Sequence, residues 1–193
     1  MSKIYISPTS IIWIAVLFIF NNSHIIELIL AIALHELGHI ICAMILKVKI
    51  HRFELSILGA RLHMAGDISY LQEFLISLCG PLSGVIGFAL CIHHDFLFDF
   101  AILSLCLSVF NLLPLSTLDG GRILNSLLCM IFPLSFTGKI MQLSTFFTLF
   151  CLWLLSVYIL IKNGGALSML VFSSIFFAKC FIFDNKNGDF NRF

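Results

Sequence analysis

Residues 31–43 read Ala-Ile-Ala-Leu-His-Glu-Leu-Gly-His-Ile-Ile-Cys-Ala, an apolar run that three ionisable side chains interrupt. His35 and His39 are four residues apart, so on a helix they lie one turn from each other on one face, with Glu36 beside them. An ionisable group at the centre of a membrane helix costs about 2.5–3.5 kcal/mol. A cluster of three such groups therefore predicts a functional site.

The arrangement H-E-x-x-H has a direct chemical interpretation. Two imidazoles on one helix face can hold a single zinc ion, and the neighbouring carboxylate can take a proton from water without itself being a ligand. The alternative is a pair of buried histidines with ordinary hydrogen-bond partners. The apolar surroundings favour a zinc site in which His35 and His39 are ligands and Glu36 is the base.

The composition indicates an integral membrane protein. Of 193 residues, 60% are hydrophobic and 11% are charged, and the mean hydropathy is +1.08, far above the range of soluble domains. The formal net charge of +1 offers no reason to expect nucleic-acid binding. The seven cysteines occur singly in apolar stretches, without a spacing that predicts disulfides or a thiolate metal site.

Hydropathy predicts an all-α polytopic protein with about six transmembrane helices, at 8–21, 24–48, 72–92, 97–113, 142–161 and 166–183. Residues 121–134 are apolar but too few to cross a membrane, so we expect a partly embedded helix. Residues 48–70 alternate in part between apolar and polar, which fits either a short membrane-associated β-hairpin between the second and third spans or an amphipathic loop. One membrane domain is expected over 1–184, followed by a short polar tail at 185–193.

The basic residues predict the orientation. With six spans, nearly all lysines and arginines fall at one end of the bundle, whereas the other end has Lys162 with Asp95 and Asp99. Positive loops stay on the cytoplasmic side. Both termini are therefore expected to be cytoplasmic.

A catalytic zinc site commonly has three protein ligands, so the two histidines need a partner. Asp119 lies beside Pro114 and Gly120-Gly121, helix breakers that free backbone next to a predicted span. The alternative role for Asp119 is to cap the helix that follows it. Other candidate ligands lie together in the predicted outer loop, at His93, His94 and Asp95.

Two segments together resemble the site-2 proteases, a family of intramembrane zinc metalloproteases. They are His35-Glu36-Leu37-Gly38-His39 and Asn111-x-x-Pro114-x-x-x-Leu118-Asp119-Gly120. The resemblance implies that Asp119 is the third zinc ligand and that Asn111 holds the substrate or the developing oxyanion. It also implies that residues 48–70 form the hairpin found in that family.

A weaker motif of the same family is Gly-Pro-Leu-x-Asn, which here reads Gly80-Pro81-Leu82-Ser83-Gly84. Gly84 stands where many members have asparagine, so any polar contact of that asparagine is in doubt. The resemblance implies a protein embedded in the lipid bilayer of the bacterial cytoplasmic membrane. It further implies a membrane-tethered substrate, such as a transcription-factor or sigma-factor precursor, and leaves room for a regulatory membrane partner.

Two other functions fit parts of the pattern. A zinc protease of the prenyl-protein class would need a downstream glutamate as third ligand, but Glu54 and Glu73 lie in no suitable motif. A metal transporter, or an inactive relative that only binds membrane helices, could use intramembrane histidines and an aspartate. An ion path, however, does not require a glutamate directly after the first histidine.

Overall fold

The computed structural model describes residues 3–6, 24–48, 50–56, 59–64 and 68–163. The helices are α1 (Ile25–Ile45), α2 (Tyr70–Cys91), α3 (Phe98–Asn111), α4 (Asp119–Ile131) and α5 (Leu134–Asn163), with a short 3-10 turn at Asp95–Leu97. The strands are β1 (Lys3–Ile6), β2 (Ile50–Ser56) and β3 (Gly59–Met64). β2 pairs parallel with β1 and antiparallel with β3, in the order β1-β2-β3.

The predicted fold class with about six transmembrane helices is wrong. Within the described ranges, three helices are long and apolar enough to cross a membrane: Ile25–Ile45, Tyr70–Cys91 and Leu134–Lys162. The span predicted at 97–113 is the 14-residue helix α3, about 21 Å long at 1.5 Å per residue and shorter than the roughly 30 Å apolar core of a bilayer. The spans predicted at 8–21 and 166–183 lie outside the described residues, as does the tail at 185–193.

The β part of the predicted fold class also needs correction, because β1 adds a third strand to the antiparallel pair of β2 and β3, which makes a three-stranded sheet. β1 pairs with β2 in the register Lys3 to Arg52. The hydropathy pattern of residues 48–70 could not reveal this, since the third strand comes from a distant part of the chain and satisfies the free backbone edge of β2.

Helix α2 is the centre of the helical bundle, because it packs against α1, α3 and α4. Its start is defined by a capping box. Ser69 N donates a hydrogen bond to Oε1 of Gln72 at 3.0 Å, and the Gln72 backbone N–H donates to Oγ of Ser69 at 3.2 Å. These bonds give hydrogen-bond partners to backbone N–H groups that would otherwise have none at the helix N-terminus.

Close contact between α2 and its neighbours depends on small residues. Ser83 Oγ lies 2.9 Å from the carbonyl oxygen of Leu34 on α1, to which it donates a hydrogen bond. A Cβ at Gly84 would overlap Oγ of Ser108 on α3. Small residues at such positions let helix backbones approach closely, and this brings the two sides of the site within reach of each other.

Helix α4 begins against the loop that follows α3. A Cβ at Gly120 or Gly121 would fall within 3.0 Å of backbone atoms of Leu112 or Leu115. The glycine pair therefore lets the first turn of α4 lie directly on residues 112–116.

Candidate metal centre

The two histidines of α1 lie on its inner face. His35 is 3% exposed and His39 is 6% exposed. Their ring centroids are 5.0 Å apart and the rings meet edge to face. The four-residue spacing thus places two imidazoles side by side within the protein interior.

Asp119 reaches the same point from the other side of the bundle. Its Oδ2 lies 2.9 Å from Nε2 of His35 and 3.1 Å from Nε2 of His39. Asp119 is the first residue of α4, while the N-cap position is Leu118, whose side chain makes no capping hydrogen bond. The alternative in which Asp119 caps α4 is therefore wrong, since its carboxylate faces the histidines.

The charge state of Asp119 suits a ligand. Burial alone would raise the pKa of its carboxyl group, but hydrogen bonds from His35 and His39 outweigh burial and hold the pKa below its usual value. The carboxyl group is consequently ionised at neutral pH. An ionised oxygen is the form that binds a cation.

The hydrogen bond made by Nδ1 of His39 determines the tautomer of its ring. Nδ1 lies 2.7 Å from the carbonyl oxygen of Ile76 on α2 and donates a hydrogen bond to it. In neutral His39 the lone pair of Nε2 then faces the ionised oxygen of Asp119. A lone pair facing a carboxylate is unfavourable unless a positive charge lies between them. Either a second proton on the His39 ring, which then forms the hydrogen bond to Asp119, or a bound cation supplies that charge.

The donor set fits a zinc ion. One atom from each of His35, His39 and Asp119 lies within 4.8 Å of the other two. Two imidazole nitrogens and one carboxylate oxygen, with room for a further ligand, form a common catalytic zinc set. Within the part of the chain that the structure describes, this is the only group of three or more histidine, cysteine or acidic side chains close enough to hold a metal ion.

Glu36 and Asn111 border this cluster without belonging to it. Glu36 is partly exposed, and its charge acts on His39. Asn111 is the last residue of α3, where its Nδ2 donates a hydrogen bond to the carbonyl oxygen of Leu107 at 3.0 Å. The structure thus positions both residues, and their chemical roles stay predictions.

The other candidate ligands lie elsewhere. His93, His94 and Asp95 are exposed, at the end of α2 opposite to its capping box. Glu73, which the prenyl-protease alternative would need, lies in the first turn of α2 and interacts with Arg122 and Ser126 on α4. None of these four side chains joins the metal-binding cluster.

Sequence reasoning missed the contribution of α2 to this centre. The carbonyl oxygen of Ile76 orients His39, and Gly80 lies against the His39 ring. Every residue type has a backbone carbonyl, so the identity of residue 76 does not reveal this contact. The available signal was the pair Gly80-Pro81 inside an apolar helix, where both residues are normally unfavourable.

Fold and site together define a membrane protein with a buried His-His-Asp cluster between α1 and α4. Residues 89–155 match the sequence model of peptidase family M50. A zinc metalloprotease of Methanocaldococcus jannaschii is 37% identical over 134 residues, which make up 64% of this chain and 37% of that protein. A solved structure, the site-2 protease from the same organism, has a TM-score of 0.63 and 27% identity, covering 93% of this chain and 89% of that one.

The chain is therefore similar to the site-2 proteases in both sequence and fold. The resemblance inferred from the two sequence motifs is thereby confirmed. The chain spans only 37% of the length of the M. jannaschii zinc metalloprotease.

Proposed function

We propose that this protein is an intramembrane zinc metalloprotease that hydrolyses a peptide bond in or near the transmembrane segment of a membrane-tethered protein. The observation that supports this most is the convergence of His35, His39 and Asp119 on one buried point, with distances of 2.9 and 3.1 Å from the carboxylate to the two imidazoles. The match to the model of peptidase family M50 and the three apolar helices agree with it.

In this proposal His35, His39 and Asp119 hold one zinc ion. When bound, zinc supplies Lewis acidity that activates water at neutral pH and polarises the scissile carbonyl. The hydrogen bond from His39 to Ile76 keeps Nε2 of His39 directed at the zinc ligand position. Asp119 contributes the negative charge that offsets part of the cation's charge in an apolar interior.

Glu36 is the proposed general base. It follows His35 directly on α1 and is partly exposed. Glu36 takes the proton of the attacking water and passes it to the leaving amine nitrogen, a role that contributes about 10²–10⁴-fold to rate.

Asn111 is proposed to hold the substrate backbone or the developing oxyanion. Its amide nitrogen bonds to Leu107 by one hydrogen, and an amide group carries two, so the other hydrogen can be donated to the substrate. The position at the end of α3, eight residues before Asp119, keeps this amide next to the loop that leads to the metal centre.

We propose that the end of the bundle carrying Lys47, Arg122 and Lys139 faces the cytoplasm, and that both termini lie on that side of a bacterial cytoplasmic membrane. The opposite end of α2 leads to the exposed acidic residues Asp95 and Asp99. Basic ends stay on the cytoplasmic side. The proposed substrates are transcription-factor or sigma-factor precursors tethered to this membrane, with a regulatory membrane partner as a further expectation.

Cysteine labelling tests this orientation. In intact cells we expect a membrane-impermeant maleimide to label the variant Asp95→Cys and to label Lys47→Cys only after permeabilisation. Both residues are exposed, and the unchanged chain measures the background from native cysteines. The reverse pattern would overturn the orientation.

Removal of zinc tests the function itself. We expect 1,10-phenanthroline to abolish cleavage of membrane-tethered reporter proteins by the purified, reconstituted chain, and added zinc to restore it, because three protein ligands hold the ion that activates water. Product bands on gels measure the cleavage. The isomer 1,7-phenanthroline, which does not chelate, is the matched control and should leave cleavage unchanged. Zinc flux into vesicles without any cleavage would support the transporter instead.

A further inference from the structure

Gly80 on α2 lies directly against the imidazole of His39. A Cβ built at Gly80 would fall within 3.0 Å of three ring atoms of His39, namely Cε1, Nε2 and Cδ2. Real Cβ atoms do not approach other atoms so closely. The ring of His39 therefore occupies the space that any other residue at position 80 would fill.

The same stretch of α2 also holds the other side of the ring. Nδ1 of His39 donates a hydrogen bond of 2.7 Å to the carbonyl oxygen of Ile76, one turn before Gly80. Nε2 lies 3.1 Å from Asp119. The imidazole is thus fixed by a hydrogen bond at one nitrogen, by close contact along its edge, and by the metal centre at the other nitrogen.

The second histidine has no equivalent support. Among the residues that the structure describes, Nδ1 of His35 is buried and has no hydrogen-bond partner. Its ring contacts Asp119 through Nε2 at 2.9 Å and meets the His39 ring edge to face. The two histidines of the motif, which look alike in the sequence, are therefore held in different ways.

We propose that the segment of α2 from Ile76 to Gly80 is a positioning element for His39, and that Gly80 is a positioning residue whose missing side chain sets the direction of Nε2. This inference rests on the proposed function, because it assumes that His39 binds zinc. Loss of a group that orients a metal-bound histidine typically lowers metal affinity by about 10–100-fold. A methyl group at position 80 should have an effect of that size.

Two other glycines provide matched controls for the same one-methyl change. Gly84 lies one turn further along α2, and a Cβ there would meet Ser108 and Ser104 of α3 rather than a histidine. Gly138 lies in α5 with no atom within 4 Å of a built Cβ. The first control adds a methyl group that crowds two helices away from the metal centre. The second adds a methyl group where it meets no other atom.

The experiment compares Gly80→Ala, Gly84→Ala and Gly138→Ala as full chains in detergent, by zinc competition with a chromophoric chelator. We expect Gly80→Ala to bind zinc about 10–100-fold more weakly than the wild type and Gly138→Ala to bind equally well. We expect Gly84→Ala to lower the unfolding temperature measured in chelator while zinc affinity stays within about threefold. The visible spectrum of the cobalt-loaded Gly80→Ala chain should also change, since the His39 ring is displaced.

Equal zinc affinity of Gly80→Ala and the wild type would overturn the inference, as would an equal loss in Gly84→Ala. If Gly80→Ala does not fold, ¹⁵N-histidine NMR of the wild type decides. We expect one Nδ1–H, assigned to His39 by its loss in His39→Gln, to be hydrogen-bonded and slow to exchange in the chelator-treated chain. A fast-exchanging or absent Nδ1–H would overturn the inference. Failure of the wild type to bind zinc at all would instead count against the proposed function.

Discussion

The variant Glu36→Gln is expected to retain zinc and to lose cleavage by about 10²–10⁴-fold, the usual contribution of a general base. Glutamine has nearly the shape of glutamate but accepts no proton at neutral pH. The metal-binding atoms come from His35, His39 and Asp119, so the ion should remain. The measurements are zinc per chain by elemental analysis and product formation from a co-reconstituted tethered reporter.

Glu27→Gln is the matched control. It makes the same glutamate-to-glutamine change in the first turn of the same helix, away from the metal centre. It should cleave like the wild type. Asn111→Ala, measured in parallel, should retain zinc and show a smaller loss than Glu36→Gln, because zinc shares the work of stabilising the oxyanion. Cleavage by Glu36→Gln at the wild-type rate would show that another group is the base.

The variant Asp119→Ala is expected to lose both zinc and cleavage. Its carboxylate contacts both histidines, at 2.9 and 3.1 Å, and it supplies negative charge next to the proposed cation. Removing a direct ligand should lower zinc affinity by more than the roughly 10–100-fold that loss of an orienting group costs. Zinc competition and elemental analysis after gel filtration measure the loss.

Asp95→Ala is the matched control for this substitution, because Asp95 is an exposed aspartate outside the metal-binding cluster. It should bind one zinc ion with wild-type affinity. Retention of wild-type zinc affinity by Asp119→Ala would exclude this residue as a ligand. Zinc loss in Asp95→Ala would point to the outer loop instead.

Part of this site could be read from spacing alone. His35 and His39 are four residues apart, and helix geometry places such residues on one face whatever surrounds them. Asp119 is 80 residues from His39 in the chain, so its approach depends on how α4 packs. The residues themselves left helix capping as an alternative for Asp119, and the resemblance to the site-2 proteases favoured the ligand role.

The number of spans was the weakest part of the sequence reasoning. Hydropathy counts apolar residues, and residues 97–113 are apolar enough to suggest a crossing, yet α3 has only 14 residues. Leu97 ends a 3-10 turn, and Leu112 follows the helix as its C-cap. Where a helix ends depends on hydrogen bonds and contacts at its termini, which mean hydropathy does not contain.

Residues 31–43 determined by themselves that the protein has a helix with two imidazoles and a carboxylate in apolar surroundings, because the helical period and the cost of buried ionisable groups are local properties. Only the tertiary structure decided what surrounds that helix. It brings Asp119 to both histidines and sets Ile76 and Gly80 of α2 against one ring. These contacts depend on close approach between distant segments, and on a backbone oxygen and an absent side chain that sequence patterns do not display.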